Sequence, residues 1–308
     1  MTKILLGAAL PALLAFGTMH SATAQTVSRI VFQAPGTVKH GRTTYSQIFS
    51  MNPDGSGVVQ LTSANANSYS PRWSPGQNYI AFLRSNTIYV MEAKGEAHGG
   101  RTFAVASASE GPAWSPDGAS LVFTGTSGNL YIVSLNADTG WVGSPVPFRS
   151  GWYGGPSWSP DGTKIAFWGS DDGNWPFFIH VRDVVGGAEY SFGVPSGAAP
   201  ADNQCPQWSP DGSLIAFSGR VTWTVTTKHG TSTRTAEEIF IANADGSGIT
   251  RVTYLNNAAL FPTWSPDGTT IAFRSDVSGT AEIYKMVLGS QVVTLLHQGW
   301  CNAPDWNP

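Results

Sequence analysis

The chain has 308 residues, with 17 Lys and Arg against 20 Asp and Glu, a formal net charge of -3, and 35 Gly, 20 Pro and 12 Trp. Charges so sparse and balanced argue against a nucleic-acid partner, whose phosphates require clustered Lys and Arg. The wealth of Gly, Pro and aromatic residues points to short strands joined by tight turns.

Met1, Thr2 and Lys3 precede an apolar run from Ile4 to Phe16 and a small-x-small sequence at Ala22, Thr23 and Ala24. This is the form of a secretory signal peptide, residues 1–24, and predicts cleavage after Ala24 and export to the periplasm or the exterior. The run is short and holds Pro11, and no later stretch is long and apolar enough to span a bilayer, so an integral membrane protein is not expected.

The next residues, Arg29-Ile30-Val31-Phe32, have the form of a strand, followed by a second at Ile48-Phe49 and a turn from Asn52 to Gly55. A unit then recurs whose fullest form is Pro-x-Trp-Ser-Pro-Asp-Gly-x-x-Ile-Ala-Phe. Its Trp positions are Trp73, Trp114, Trp158, Trp208 and Trp264, with Phe82, Phe123, Phe167, Phe217 and Phe273 each nine residues on. Ser-Pro-Asp-Gly suits a type I turn, because Pro fixes φ, Asp bonds to nearby backbone and Gly accepts positive φ. Asp117, Asp161, Asp211 and Asp267 are therefore read as turn residues. At Ser74-Pro75-Gly76-Gln77 the Gly comes one place early, which predicts a type II turn. After each turn Ile and Phe share one face and Ala takes the other, so the strand is buried on both sides and approached closely on the Ala side.

Each unit reads as four strands, A carrying the Trp, B the Ile-Ala-Phe, C a pair such as Ile88-Tyr89 or Phe178-Ile179, and D a short outer run. The Trp spacings of 41, 44, 50, 56 and 42 residues are those of propeller blades, with insertions in the fourth and fifth. The longest insertion, Gly219 to Glu237, alternates as a hairpin rising over the disc. A clipped sixth copy at Pro304, Trp306 and Pro308 supplies a strand A, and residues near 29 to 62 supply B, C and D, so together they complete one blade. The expected fold is all-β: a monomeric six-bladed propeller of four-stranded antiparallel blades over residues 25–308, closed by pairing the C-terminal strand with the N-terminal strands.

The stretches Trp158 to Phe167, Trp-Ser-Pro-Asp-Gly-Thr-Lys-Ile-Ala-Phe, and Trp264 to Phe273, Trp-Ser-Pro-Asp-Gly-Thr-Thr-Ile-Ala-Phe, resemble the WD40-like propeller repeat of the TolB family. The resemblance covers essentially the whole mature chain. It implies an exported, non-enzymatic propeller that binds a protein, or a glycan, in the envelope or outside the cell. Members related to Tol-Pal also carry an N-terminal α/β domain, which this sequence is expected to lack because the first strand B closely follows the cleavage site. Similar repeats occur in oligogalacturonate lyases, so the alternative is a polysaccharide lyase or hydrolase with a metal or acid/base site at the axial pocket.

Strand order puts the A–B and C–D turns on one side of the disc and the B–C and D–A connections on the other. The second side is irregular, and binding groups collect on such loops. It offers Lys39 and Arg42 beside His40, then Asp171, Asp172, Asn174 and Trp175, then Trp223 on the long insertion, with Trp152, Tyr153, His297 and Trp300 from D–A loops expected near the axis. Rigid aromatics among polar neighbours suit a protein tail or a sugar. No Gly-x-Ser-x-Gly elbow occurs, and His40, His98, His180, His229 and His297 show no metal-ligand spacing, so neither a catalytic residue nor a cofactor is assigned. Asp171 and Asp172, with Asn174, offer the oxygen groups that calcium takes as ligands but fall short of a full shell. Cys205 and Cys301 precede motif Trp residues two units apart; in an exported chain they pair as a disulfide if their loops meet across the ring, and otherwise remain separate thiols or, less simply, a metal pair.

Overall fold

The computed structural model describes residues 28–36, 44–174, 176–194, 203–228, 230–290 and 292–307. Residues 1–24, expected to be a signal peptide, and the loop residues Lys39, His40, Arg42, Trp175 and His229 lie outside the described residues. Among those described, strands pair antiparallel into six sheets, and no helix is long and apolar enough to cross a membrane.

The first blade takes β1 (Ile30–Pro35), β2 (Ser46–Met51) and β3 (Val59–Gln60). Its innermost strand is β25 (Asn302–Trp306), registered Ile30 to Trp306 and Val31 to Asp305, so the ring closes as the sequence predicts. The second blade is β4 (Ser68–Trp73), β5 (Tyr79–Arg84), β6 (Thr87–Glu92) and β7 (Thr102–Ser107). In the third, β8 (Ala113–Trp114), β9 (Ser120–Thr124) and β10 (Leu130–Asn136) meet an outer strand split into β11 (Trp141–Val142) and β12 (Val146–Arg149). The split falls at Gly143-Ser144-Pro145, where Pro145 has no N–H to continue the ladder. The fourth blade holds β13 (Trp152–Trp158), β14 (Lys164–Ser170), β15 (Phe178–Asp183) and β16 (Glu189–Phe192). The fifth holds β17 (Asn203–Trp208), β18 (Leu214–Thr227), β19 (Gly230–Asn243) and β20 (Thr250–Arg251), and the sixth β21 (Ala259–Trp264), β22 (Thr270–Ser275), β23 (Glu282–Val287) and β24 (Val293–His297). The extended β18–β19 hairpin pairs continuously from Leu214–Asn243 to Thr227–Gly230, as the alternation of the insertion predicts.

The core lies between blades. Ile80 and Phe82 pack on Val31 and Ile48 of the preceding blade, whereas Ala81 faces Leu121 and Phe123 of the next. Ala216 meets Ile271 and Phe273 in the same way, and Ala272 meets Ile30 and Phe32 across the closure. A small side chain on one blade admits the Phe of its neighbour, and each such fully buried Phe contributes about 1.5–3 kcal/mol.

Each of these Phe residues also stacks on an aromatic ring across its own blade, for example Phe82 on Tyr89 at 5.9 Å and Phe217 on Phe240 at 5.8 Å. In the fourth blade the partner of Phe167 is His180, at 5.4 Å with planes 3° apart. The strand C pair is thus Ile179-His180 and not Phe178-Ile179. The cross-strand register sets it, placing Phe167 opposite His180.

The Ser-Pro-Asp-Gly turns close as expected. Each Ser hydroxyl donates to its Asp at 2.6 Å, and the Gly N–H donates back to the Ser carbonyl at 2.9 Å. The type II turn predicted at Ser74 does not form. Gln77 itself takes φ of 59°, in the place that Gly118 and Gly162 hold elsewhere, and Gly76 stays out of the left-handed region. The hairpin register of Trp73 with Ile80 matches that of Trp114 with Leu121, so the backbone shape is imposed by the strands. Asn307 Nδ2 donates to Gln77 Oε1 at 2.9 Å and anchors that side chain.

Candidate functional site

The innermost strands β25, β4, β8, β13, β17 and β21 surround the axis, and their Pro-x-Trp sequence acquires three levels in space. At the first level stands the residue before Pro. Ser70, Gly155, Cys205, Phe261 and Ala303 all take φ between 45° and 56°, and the ladder slips beside each, as between Tyr69 and Arg72 or Gln204 and Gln207. An L-residue before Pro disfavours this conformation, at about 1–3 kcal/mol each. These bulges turn Ser70, Gly155, Cys205 and Phe261 toward a cavity of about 840 Å³ on the side of the B–C and D–A loops.

The second level is the residue between Pro and Trp, where Arg72 and Gln207 line both the large cavity and a smaller recess beyond it. Side chains here stitch neighbouring blades. Trp73 N–H donates to Asp305 Oδ2 at 2.7 Å, Trp306 N–H to Thr263 Oγ1 at 3.0 Å, and Trp208 N–H to Ser157 Oγ at 3.4 Å. Arg72 Nε lies 4.0 Å from Asp305 Oδ1, yet burial still pushes the Asp305 carboxyl up to about 6. At the third level Trp73, Trp114, Trp158, Trp208, Trp264 and Trp306 ring the smaller recess, about 280 Å³, together with the turn prolines. Trp114 and Trp264 donate their indole N–H to Arg72 and Gln207 carbonyls of the preceding blade, at 3.2 and 3.1 Å.

The large cavity is walled mainly by neutral groups, among them Asn65, Asn67, Asn86, Gln204, Tyr45 and Phe261. Its only charged lining residues among those described are Arg72 and Glu110. Burial raises the pKa of Glu110, and the Gly155 N–H, which donates to its Oε2 at 2.9 Å, only partly offsets this. The cavity loops are held from strand C. Gln47 donates to the Ala64 and Ala66 carbonyls at 2.9 and 3.2 Å, and Ser46 N–H donates to Asn67 Oδ1 at 2.8 Å. Glu238 and Glu282 hold the equivalent loops by accepting from Asn256 and Gly299 N–H at 2.7 and 3.1 Å. The wall that carries Asn65 and Asn67 is therefore preorganised.

The residues picked out by sequence fall elsewhere. Trp152, Tyr153, Trp223, His297 and Trp300 do not line the axial cavity. Trp152 is 64% exposed and Trp300 44%, Trp223 is half-buried on β18, and Tyr153 is buried. The Tyr153 hydroxyl donates to Asp171, burial raises its pKa, and Arg149 binds the same Asp171 oxygen at 2.7 Å. Asp172 accepts the Asn174 N–H at 3.0 Å. His297 closes the outer strand β24 with its ring 4.9 Å from Phe32, and burial lowers its pKa. The Cys205–Cys301 disulfide does not form: Cys205 faces the axial cavity, whereas Cys301 lies in the closure core with Phe32 and Trp306, where burial pushes its thiol up to about 12. The sequence reading missed Glu110, Arg72, Trp168 and the Asn65–Asn67 loop. For Arg72 the signal was its place between Pro71 and Trp73, beside the bulge that faces the axis; Glu110, Trp168 and the Asn65–Asn67 loop carry no shared motif.

Fold and site together define a closed six-bladed β-propeller with a polar axial recess on its loop-rich side. The description "TolB beta propeller domain" matches residues 20–187 and 155–308, and the chain belongs to that family. It is 33% identical over 73 residues to the protein TolB homolog of Chlorobaculum tepidum, a stretch that is 23% of this chain and 17% of that protein. Among solved structures, TolB from Acinetobacter baumannii superposes with a TM-score of 0.67 at 19% identity, over 91% of this chain and 67% of that one. A protein assigned to TolB from Agrobacterium tumefaciens gives 0.62 at 20% identity, over 91% and 98%.

Proposed function

We propose that this propeller is a non-enzymatic binding protein of the periplasm or exterior, exported by residues 1–24, and that it holds a segment of a protein partner in the axial cavity. The cavity carries this reading: about 840 Å³ of preorganised, mostly neutral amide and aromatic wall at the centre of a rigid ring. Amides and hydroxyls answer the backbone groups of an extended chain, and the strained bulges keep their side chains aimed at the axis. Trp152, Trp223 and Trp300 act as outer contacts on the loop face.

The test places a photo-crosslinking residue at Asn65 in the cavity wall and, separately, at the exposed Val287 of β23 in the exported protein. The expected result is one defined protein adduct from position 65 and none from position 287. Equal adducts from both positions, or none from position 65, reject the cavity as the binding site. Changing Trp152, Trp223 and Trp300 together to Ala is expected to weaken the adduct at position 65 without removing it.

A further inference from the structure

We propose that Glu110 and Trp168 form a subsite for a primary ammonium group of the bound polypeptide, supplied by a Lys side chain or by a chain N-terminus. The inference rests on the axial cavity being the binding site and adds its specificity.

The first observation is a charge left unanswered. Of the two charged residues among the described lining, Arg72 faces Asp305 and donates to the Pro71 carbonyl at 2.9 Å. Glu110, half-buried, meets no cation among the described residues. Among the described residues its one hydrogen-bond partner is the Gly155 N–H on Oε2. A carboxylate withdrawn from water without a counter-charge is costly, and a neutral amide would serve the Gly155 N–H as well.

The second observation is shape. A Cβ at Gly154 would stand 2.1 Å from Glu110 Oε2 and 2.7 Å from Trp168 Cε2, and one at Gly155 would stand 2.9 Å from Trp168 Nε1. Carboxylate and indole thus converge on a patch of backbone bare of side chains. A cation beside both gains an ion pair and the electrostatic attraction of the ring. The Gly155 N–H occupies one lone pair of Oε2 and leaves Oε1 to accept; a compact ammonium needs only that one oxygen and directs its other N–H groups to cavity amides.

The test uses the whole mature protein and three tripeptide amides. N-acetyl-Gly-Lys-Gly carries only a side-chain amine, Gly-Gly-Gly only a terminal one, and N-acetyl-Gly-Lys-Gly acetylated on its side chain has neither. Affinity is read by NMR from the Trp168 indole and the Asn65 amide. At least one amine peptide is expected to bind roughly 10-fold tighter than the fully acetylated one, about 1.4 kcal/mol, and which one does so identifies the source. Glu110→Gln keeps the Gly155 bond through its amide oxygen and is expected to abolish that preference. Equal binding of all three peptides, or an amine preference that survives Glu110→Gln, overturns the subsite and leaves the cavity reading standing. If no peptide shifts either signal, both readings fall. Binding by glucosamine but not by either amine peptide overturns the polypeptide source in favour of an amino sugar.

Discussion

Glu189 and Asp305 are both withdrawn from water, yet their neighbours set them on opposite sides of the usual carboxylate range. For Glu189 burial alone would raise the pKa, but hydrogen bonds from His180 at 3.0 Å and Arg149 at 2.9 Å outweigh it and hold the group at about 2. A folded pKa below the ordinary 4.5 means stability that is fully present above pH 4.5 and lost as pH falls toward 2. The contribution is on the order of 3 kcal/mol. Acid melting curves are therefore expected to show Tm falling through that window, and Glu189→Gln is expected to flatten the fall; an unchanged slope would sink the assignment. Asp305 has the reverse sign. Its folded value of about 6 lies above the ordinary 3.8, so its contribution declines as pH rises from 3.8 to 6. At the same scale, Gly154→Ala forces a methyl into Glu110 and Trp168. A loss of about 1–3 kcal/mol in unfolding free energy and a displaced Trp168 indole resonance are expected.

The element that departs most from the blade pattern is the β18–β19 arm. Strand β17 leaves β18 at the Asn203–Gly219 pair, and beyond it the two strands, among the described residues, pair only with each other. On one face Thr222, Thr224 and Thr226 stand opposite Thr235, Thr233 and Thr231, while Val221, Trp223 and Val225 take the other. Cross-strand β-branched pairs of this kind give the arm its own local stability. Val221 is the last of these to join the inter-blade core. Replacing residues 222–235 by Asn-Gly, a two-residue turn between the facing Val221 and Ala236, is expected to leave a folded ring whose Tm moves by no more than about 5 °C. Loss of the cooperative transition would show that the arm belongs to the core. The arm was legible in the sequence because alternation is a local signal. The clamps from Gln47, Glu238 and Glu282 to the D–A loops were not, because their partners lie 17 to 19 residues away, beyond the reach of turn chemistry and strand alternation.

At the scale of the molecule the structure is held by its closure. Strand β25 brings buried Ala303, Asp305 and Trp306 against β1, and Asp305 reaches on to Trp73 of the second blade. Without it β1 presents an open edge and the Phe32 core loses its cover. Deletion of residues 302–308 is expected to abolish the single cooperative unfolding transition and to yield aggregates in light scattering. A monodisperse product that still melts sharply would contradict a ring held by this strand.

The sequence by itself determined the all-β class, six blades, the blade boundaries and the partner strand of the closure. Each of these follows from a short motif repeated at blade spacing, and turn chemistry and side-chain alternation act over a few residues. It also placed the irregular loops on one side of the disc. What only the tertiary structure decided is which groups meet at the axis. Arg72, Glu110, Trp168 and Asn65 come from different blades or different strands, and no spacing along the chain relates them. Trp152, His297 and Trp300 looked equally well placed, but position along a D–A loop does not fix distance from the axis; the bulge before each Pro does. The Ser74 turn and the His180 pairing carry the same lesson, since strand register overrode local preference in one and selected the stacking partner in the other.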